Sequence, residues 1–247
     1  MRRRNLVLAT LVILLIWEVV ALLVRSEVLP TPVAVFKALV EQVPRGLGRH
    51  FLISGARVVA SILVAVALAV PAGLVLGQSP ALDRVFAPFV YILYPIPKIV
   101  FLPIILLFLG IGNTSKIFII ALILVFQVLV VVRDNASALR PELIYSVRSL
   151  GAGRLALFRF VYVPATLPAV LTAVRVSIGT AIAVLFFAES FATTSGLGYY
   201  IIVESWGRLA YPEMYAGVIA MSVLGVSLYF VVDWLERRLA PWVRQEN

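Results

Sequence analysis

Apolar residues in this chain fall in long unbroken runs rather than in alternation, near 6–24, 53–77, 86–109, 115–133, 166–189 and 213–233. Each approaches the roughly 20 residues that a helix needs to cross the hydrocarbon of a bilayer. A backbone in hydrocarbon must satisfy its own hydrogen bonds, so such runs predict helices, and the lack of alternation argues against barrel strands. Six spans result. The first follows Arg2, Arg3 and Arg4, as a secretory leader would. Its apolar core is longer than a leader's, and Val24-Arg25-Ser26-Glu27 lacks the small residues of a cleavage site, so it is read as a retained helix. Pro71, Pro88, Pro95, Pro97 and Pro103 fall in the second and third runs. Each removes a backbone donor, which predicts kinked or broken helices there. Between the first two runs, Thr31-Pro32 opens a segment with Val33, Phe36, Leu39, Val40 and Val43 at helical spacing. It predicts an amphipathic helix at the outer membrane surface, a simple linker at least as readily as a part of substrate entry.

Composition supports the same class. Of the 247 residues, 62% are hydrophobic and 13% charged, against about half and about a quarter in soluble domains. No second domain is marked, so residues 1–247 read as one membrane domain. Cysteine is absent, which excludes disulfides and thiolate metal sites. The net charge of +9 comes from basic residues near the ends of the runs, a pattern of membrane topology rather than of nucleic-acid binding. With both termini cytoplasmic, twelve arginines fall inside: Arg2–Arg4, Arg84, Arg133, Arg140, Arg148, Arg154, Arg159, Arg237, Arg238 and Arg244. Six basic residues fall outside: Arg25, Lys37, Arg45, Arg49, Lys116 and Arg208. The imbalance favours this orientation and puts the loop after the fourth span in the cytoplasm.

That loop reads YSVRSLGAGRLALFRFVYVP from Tyr145 to Pro164, with Arg148, Arg154 and Arg159 in it. Gly151 is followed, after nine residues, by Val161, then Val163 and Pro164. The spacing resembles the cytoplasmic signature of ABC importer permeases, EAA-x3-G-x9-I-x-L-P. Further blocks are similar in order: LPTP, SGARVVASILVAVALAVPAGLVLG, YPIPKIVFLPIILLFLGIGNTSKIFII, RVSIGTAIAVLFFAES and DWLERRLAPW, over roughly 29–242. Together they resemble the nitrate, sulfonate and taurine group of these permeases, which also includes carriers of pyrimidine vitamin precursors. The resemblance implies an all-α type I importer permease fold in the bacterial inner membrane, with a coupling loop at about 136–165. It also implies two ATPase subunits, which carry ATP and Mg, a second and identical permease subunit, and an extracytoplasmic substrate-binding protein that largely sets specificity. The substrate would be a small organic or inorganic anion or a vitamin-like heterocycle. One departure stands out: Tyr145, Ser146 and Val147 occupy the Glu-Ala-Ala positions, and the nearest acid, Glu142, lies three residues earlier.

In such a loop Ser149, Leu150, Gly151, Ala152 and Gly153 allow a short helix to end sharply against a partner. Leu150 and Leu155 suit an apolar groove, and the arginines either pair with the partner or merely enforce topology. Pro164 and Pro168 are read as marking re-entry into the membrane.

Ionisable residues inside spans are functional candidates by default. Lys98, in the PIPK segment of the broken third span, is the first candidate for the translocation pathway, since broken helices expose polar backbone. Arg175 either attracts an anion or snorkels to the cytoplasmic face. Glu189 either borders the outer mouth of the pathway or bonds the 193–198 loop, in which Gly196-Leu197-Gly198 reads as a tight turn. Glu18 and Arg57 read as interhelical residues. His50, the one histidine, reads as a surface residue, which leaves no metal site or proton relay. The chain has no phosphate-binding GxxxxGK[ST] loop and no HExxH or GxSxG motif, so neither ATP hydrolysis nor an intramembrane enzyme is expected. A stand-alone secondary transporter or channel is the alternative; it would need duplicated halves and coupling acids, and no repeat is visible.

Overall fold

The structure, a computed structural model, describes residues 3–191 and 193–242, with the backbone alone for 3–7. Arg2 and Arg244 lie outside the described residues. Helices follow one another throughout, and no strand occurs among the described residues.

Helix α1 (Arg3–Val24) is followed by α2 (Pro32–Gln42), whose first turn is capped by Thr31: its Oγ1 accepts from the Ala34 N–H at 3.3 Å. Only Val35 of α2 is buried, while Val33, Phe36, Val40 and Val43 stay exposed, as an amphipathic surface helix requires. A bend at Gly46, with φ 148°, leads into the long α3 (Gly48–Gln78), which carries Pro71 without breaking.

Ser79 caps α4 (Pro80–Leu93), and α5 (Leu102–Leu109) follows a one-turn helix at Lys98–Phe101. The two halves, Pro80–Leu93 and Lys98–Leu109, meet at 77°. This is the break expected of the third run, and it falls at Pro95 and Pro97, where two donors are lost within three residues. Helix α6 (Asn113–Ser137) leads to the short α7 (Pro141–Arg148) and α8 (Arg154–Leu157).

Pro164 and Pro168 both lie within one run of helical structure. Helical structure is continuous over Arg154–Ser190. A π-turn at Phe158–Tyr162, in which the Val163 N–H bonds Phe158 O, precedes Pro164 within α9 (Val163–Ser190). The wider turn absorbs the proline's missing donor, so the helix passes through it. The chain ends with α10 (Leu197–Tyr199), a π-turn at Tyr200–Ser205 and α11 (Tyr211–Leu239).

Four stretches are long and apolar enough to cross a membrane: Pro32–Gln78, Asn113–Ser137, Arg154–Ser190 and Tyr211–Leu239. The bent α4–α5 pair makes a fifth. The fully described part of α1, Leu8–Val24, is apolar but shorter. No residue of α4 is buried, and Phe89, Tyr91, Ile92, Leu107 and Phe108 all stand open. Apolar surface on this scale suits lipid as the surrounding medium.

The chain divides into two compact units. One comprises residues 1–55 and 189–224. There Trp17 Nε1 donates to Pro30 O at 3.1 Å, Trp17 packs on Tyr215, and Gln42 Nε2 donates to Glu213 at 3.0 Å. The other comprises 56–188 and 225–247. Its core joins Ala69 and Leu74 of α3, Val128 and Val132 of α6, Val174 and Ile178 of α9, and Val232 of α11. Helices α3 and α6 approach closely through glycine. A Cβ on Gly77 would sit 2.5 Å from Arg133 O and 2.7 Å from the Ala136 Cβ, and one on Gly73 would sit 2.9 Å from Val132. Gly77→Leu should therefore force α3 and α6 apart, at a cost of about 1–3 kcal/mol or more. Thermal unfolding of the detergent-solubilised protein should show a clearly lowered Tm, and an unchanged Tm would mean that the helices are not in close contact there.

Candidate functional site

The loop between α6 and α9 is built for exposure. Pro141 starts α7 with its preset φ, and Glu142 sits in the first turn, where its charge suits the helix dipole. The helix closes on small residues: Ser149 N–H donates to Tyr145 O and Gly151 N–H to Arg148 O, each at 2.9 Å. Gly151 then adopts φ 81°, a left-handed conformation that glycine enters without strain, and Gly153 caps α8. A Cβ at Gly151 or Gly153 would meet nothing within 4 Å, so this side of the turn is open. Leu150 is 85% exposed, Leu155 81% and Tyr145 65%. Ala152 is half-buried, and Pro164 lies beyond the loop, inside α9. Glu142 stands one helical turn before Tyr145 on the same helix.

Lys98 is buried at the break between α4 and α5. Its Nζ donates to the carbonyls of Leu93 at 2.8 Å, Tyr94 at 3.2 Å and Ile96 at 3.4 Å, and stands 4.2 Å from the centre of the Phe126 ring. The ammonium thus caps the C-terminal end of α4, where carbonyls gather partial negative charge.

Lys116 performs the matching task at the end of α5, donating from Nζ to Ile111 O. This corrects its assignment to an outer loop: Lys116 lies in the first turn of α6 with none of its surface exposed. The cause is the chain's reversal at Gly110, with φ 74°, which ends α5 and leaves the carbonyl of Ile111 in need of a donor. Sequence spacing offered one hint, a lysine five residues after Ile111 at the head of an apolar run. Arg57, also buried, donates from Nε to Asn113 Oδ1 at 2.9 Å, tying α3 to the start of α6 as an interhelical residue should.

Arg175 is compensated. Its Nη1 lies 3.1 Å from Asp233 and 2.9 Å from Glu236, and Asp233 also receives Arg237 at 2.7 Å. Both acids sit on α11, 58 and 61 residues further along the chain.

Glu189 is fully buried at the end of α9. Its carboxylate accepts from Ser54 Oγ at 2.7 and 2.9 Å and from the Gly198 N–H at 3.1 Å, while Ser54 Oγ accepts from the Leu197 N–H at 2.8 Å. Of the two roles open to Glu189, this geometry is that of a residue bonding the 193–198 loop. His50 completes the cluster and corrects its reading as a surface residue: it is buried, and its Nδ1 accepts from the Gly196 N–H at 2.9 Å. Its Nε2 faces Glu204 at 3.5 Å. The imidazole is the acceptor for an N–H that would otherwise be orphaned. Gly196 has φ 112°, and any Cβ there would collide with the Glu189 carboxylate. Beside it, burial and then the charge of Glu213 push the Tyr200 phenol up to about 12.

Residues 69–245 match the family model described as binding-protein-dependent transport system inner membrane component. The chain belongs to this family. It is similar to the taurine transport system permease protein TauC of Escherichia coli (strain K12), at 32% identity over 98% of this chain and 90% of TauC. Similarity extends to the putative aliphatic sulfonates transport permease protein SsuC of Bacillus subtilis (strain 168), at 30% identity over 94% of this chain and 84% of SsuC. The fold is shared with a chain of the MetNI methionine ABC transporter in its inward-facing conformation, with a TM-score of 0.65 at 20% identity, over 81% of this chain and 98% of that one.

The chain is therefore a membrane permease subunit of an ABC importer with the type I permease fold, a multi-pass inner-membrane component and not itself an enzyme. The open turn at Gly151 lies in the matched region, as do Lys98, Arg175 and Glu189.

Two substitutions test the permease's capping charges. Glu189→Ala leaves Ser54 and the Gly198 N–H without their acceptor, at about 1–3 kcal/mol for each unsatisfied group. Hydrogen exchange of amides 196–198 should accelerate sharply, and Gly196→Ala should reproduce the effect; unchanged protection in both would show that the carboxylate does not hold the turn. Lys98→Met keeps the apolar stem but removes the donor to three carbonyls. It should lower Tm and transport together without loss of assembly, whereas lost transport at an unchanged Tm would mark Lys98 as a pathway group instead of a cap.

Proposed function

We propose that this permease forms the translocation pathway for a small anion of the sulfonate or nitrate kind, and that a separate ATPase drives it by docking on the α7–α8 turn. The observation that carries the docking is the cluster of exposed apolar side chains, Tyr145, Leu150 and Leu155, around the open glycine turn. Such side chains gathered about the turn between two short helices suit a groove on a soluble partner. Glu142 stands where it can supply the acid missing from the Glu-Ala-Ala positions. The substrate class rests on the relatives named for taurine and aliphatic sulfonates.

In this reading two copies of the permease form the pathway, two ATPases bind ATP and Mg beneath it, and a binding protein delivers substrate from outside. Both termini are cytoplasmic. Removing buried Lys116 from the outer set strengthens the charge bias, from twelve against six to twelve against five. Closure of the ATPases on ATP would move the docked turns and carry the helices between inward-open and outward-open states.

The test is co-purification of the tagged chain from its own cells, with mass spectrometry to identify the partner and uptake of taurine, an alkanesulfonate and nitrate as the transport readout. Wild type should bring down an ATPase and support ATP-dependent uptake. Gly151→Arg, which places a bulky cation at a left-handed position on the open side of the turn, should still insert but lose the ATPase and reduce uptake by roughly tenfold or more. Normal uptake in this variant would sink the docking role. A wild-type chain that purifies alone and transports in liposomes without ATP would favour a secondary transporter.

A further inference from the structure

Docking through Tyr145, Leu150 and Leu155 leaves Arg148 and Arg154 without a defined task. Both line a cavity of about 520 Å³. Its other walls include Leu74 and Val75 in the last turn of α3, Ser79 at the cap of α4 and Leu82 in the first turn of α4. Among the described residues neither arginine has an acid within ion-pairing distance. The nearest carboxylate on α4, Asp83, is engaged by Arg133, with Nη2 to Oδ2 at 2.8 Å. The N-terminal end of α4 adds positive partial charge to the same side. The cavity thus has a cationic rim and an apolar wall, and Val75 and Leu82 are partly open on that wall.

We propose that this cavity holds the head group of an anionic phospholipid, with its phosphate between Arg148 and Arg154 and the start of its acyl chains along the open side chains of Val75 and Leu82. The polarity of the walls selects this occupant. A free phosphate would leave the apolar wall in water, and an acidic peptide has no chain to lay along the ends of two membrane helices. A phospholipid satisfies both halves at once, and basic pockets beside cytoplasmic helix ends are suited to such head groups. The site rests on the cytoplasmic placement of the α7–α8 loop. It does not rest on ATPase docking, because the lipid is read out on the permease alone.

The experiment is native mass spectrometry of the permease purified in neutral detergent and supplied with phosphatidylglycerol or phosphatidylcholine. Wild type should retain phosphatidylglycerol preferentially. Arg148→Gln with Arg154→Gln should weaken that retention by roughly tenfold or more, since charge-assisted contacts to the phosphate are lost. Arg148→Lys with Arg154→Lys should keep most of it, and Lys37→Gln with Arg45→Gln, which removes the same charge elsewhere, should keep all of it. Leu82→Glu, which puts a carboxylate into the cavity and leaves both arginines in place, should also lose the lipid. Equal retention of the two lipids by wild type overturns the proposal. So does undiminished phosphatidylglycerol binding in the Gln pair or in Leu82→Glu, or equal loss in the Lys37/Arg45 control. Displacement of phosphatidylglycerol by millimolar inorganic phosphate alone would also overturn it, and would assign the arginines to a soluble anion.

Discussion

A helix that ends inside an apolar layer leaves carbonyls or N–H groups with no water to bond, and this fold depends on how each such end is satisfied. At the break between α4 and α5 the answer is Lys98, whose ammonium gathers the carbonyls of Leu93, Tyr94 and Ile96. At the end of α5 it is Lys116, on Ile111. At the start of α10 the polarity reverses, and Glu189 receives the N–H of Gly198 while its neighbours Ser54 and His50 take those of Leu197 and Gly196. Cations on carbonyl ends and an anion on an N–H end follow the sign of the helix dipole. Lys98 and Glu189, singled out in the sequence as pathway candidates, are in the fold also what allows helices to stop and restart.

Close approach is the second requirement, because lipid offers little hydrophobic drive for one helix to prefer another over the bilayer. Gly73 and Gly77 let α3 press against Val132, Arg133 and Ala136 of α6. Gly151 does the opposite, opening a turn where a Cβ would meet nothing within 4 Å among the described residues. One residue type therefore serves packing where the neighbours are helices and presentation where they are absent.

Much of this was legible in the sequence because it depends on local pattern. Continuous apolar runs announced helices, Pro95 and Pro97 announced the break, and Gly151 with its exposed leucines announced the turn. What escaped depends on partners far along the chain. Nothing near His50 reveals that it accepts from Gly196, 146 residues away. Nothing near Arg175 points to Asp233 and Glu236. Lys116 resembled a loop cation because its polarity was visible and its burial was not. The helix that runs through Pro164 escaped for a different reason: a π-turn beforehand lets a helix carry a proline, and no residue in Phe158–Tyr162 advertises that turn.

The compensated charges bear on what a charged solute would meet inside such a fold. Arg175 is held by two carboxylates, and Lys98 is held by three carbonyls and the face of Phe126. An unpaired cation in a low-dielectric pathway would bind a sulfonate strongly enough to hinder its release, whereas conduction needs sites that are entered readily and left readily. Cations already engaged by acids and carbonyls offer a passing anion only a residual field. Engaged cations of this kind suit a family whose description makes transport dependent on a binding protein, because recognition can then precede entry into the membrane.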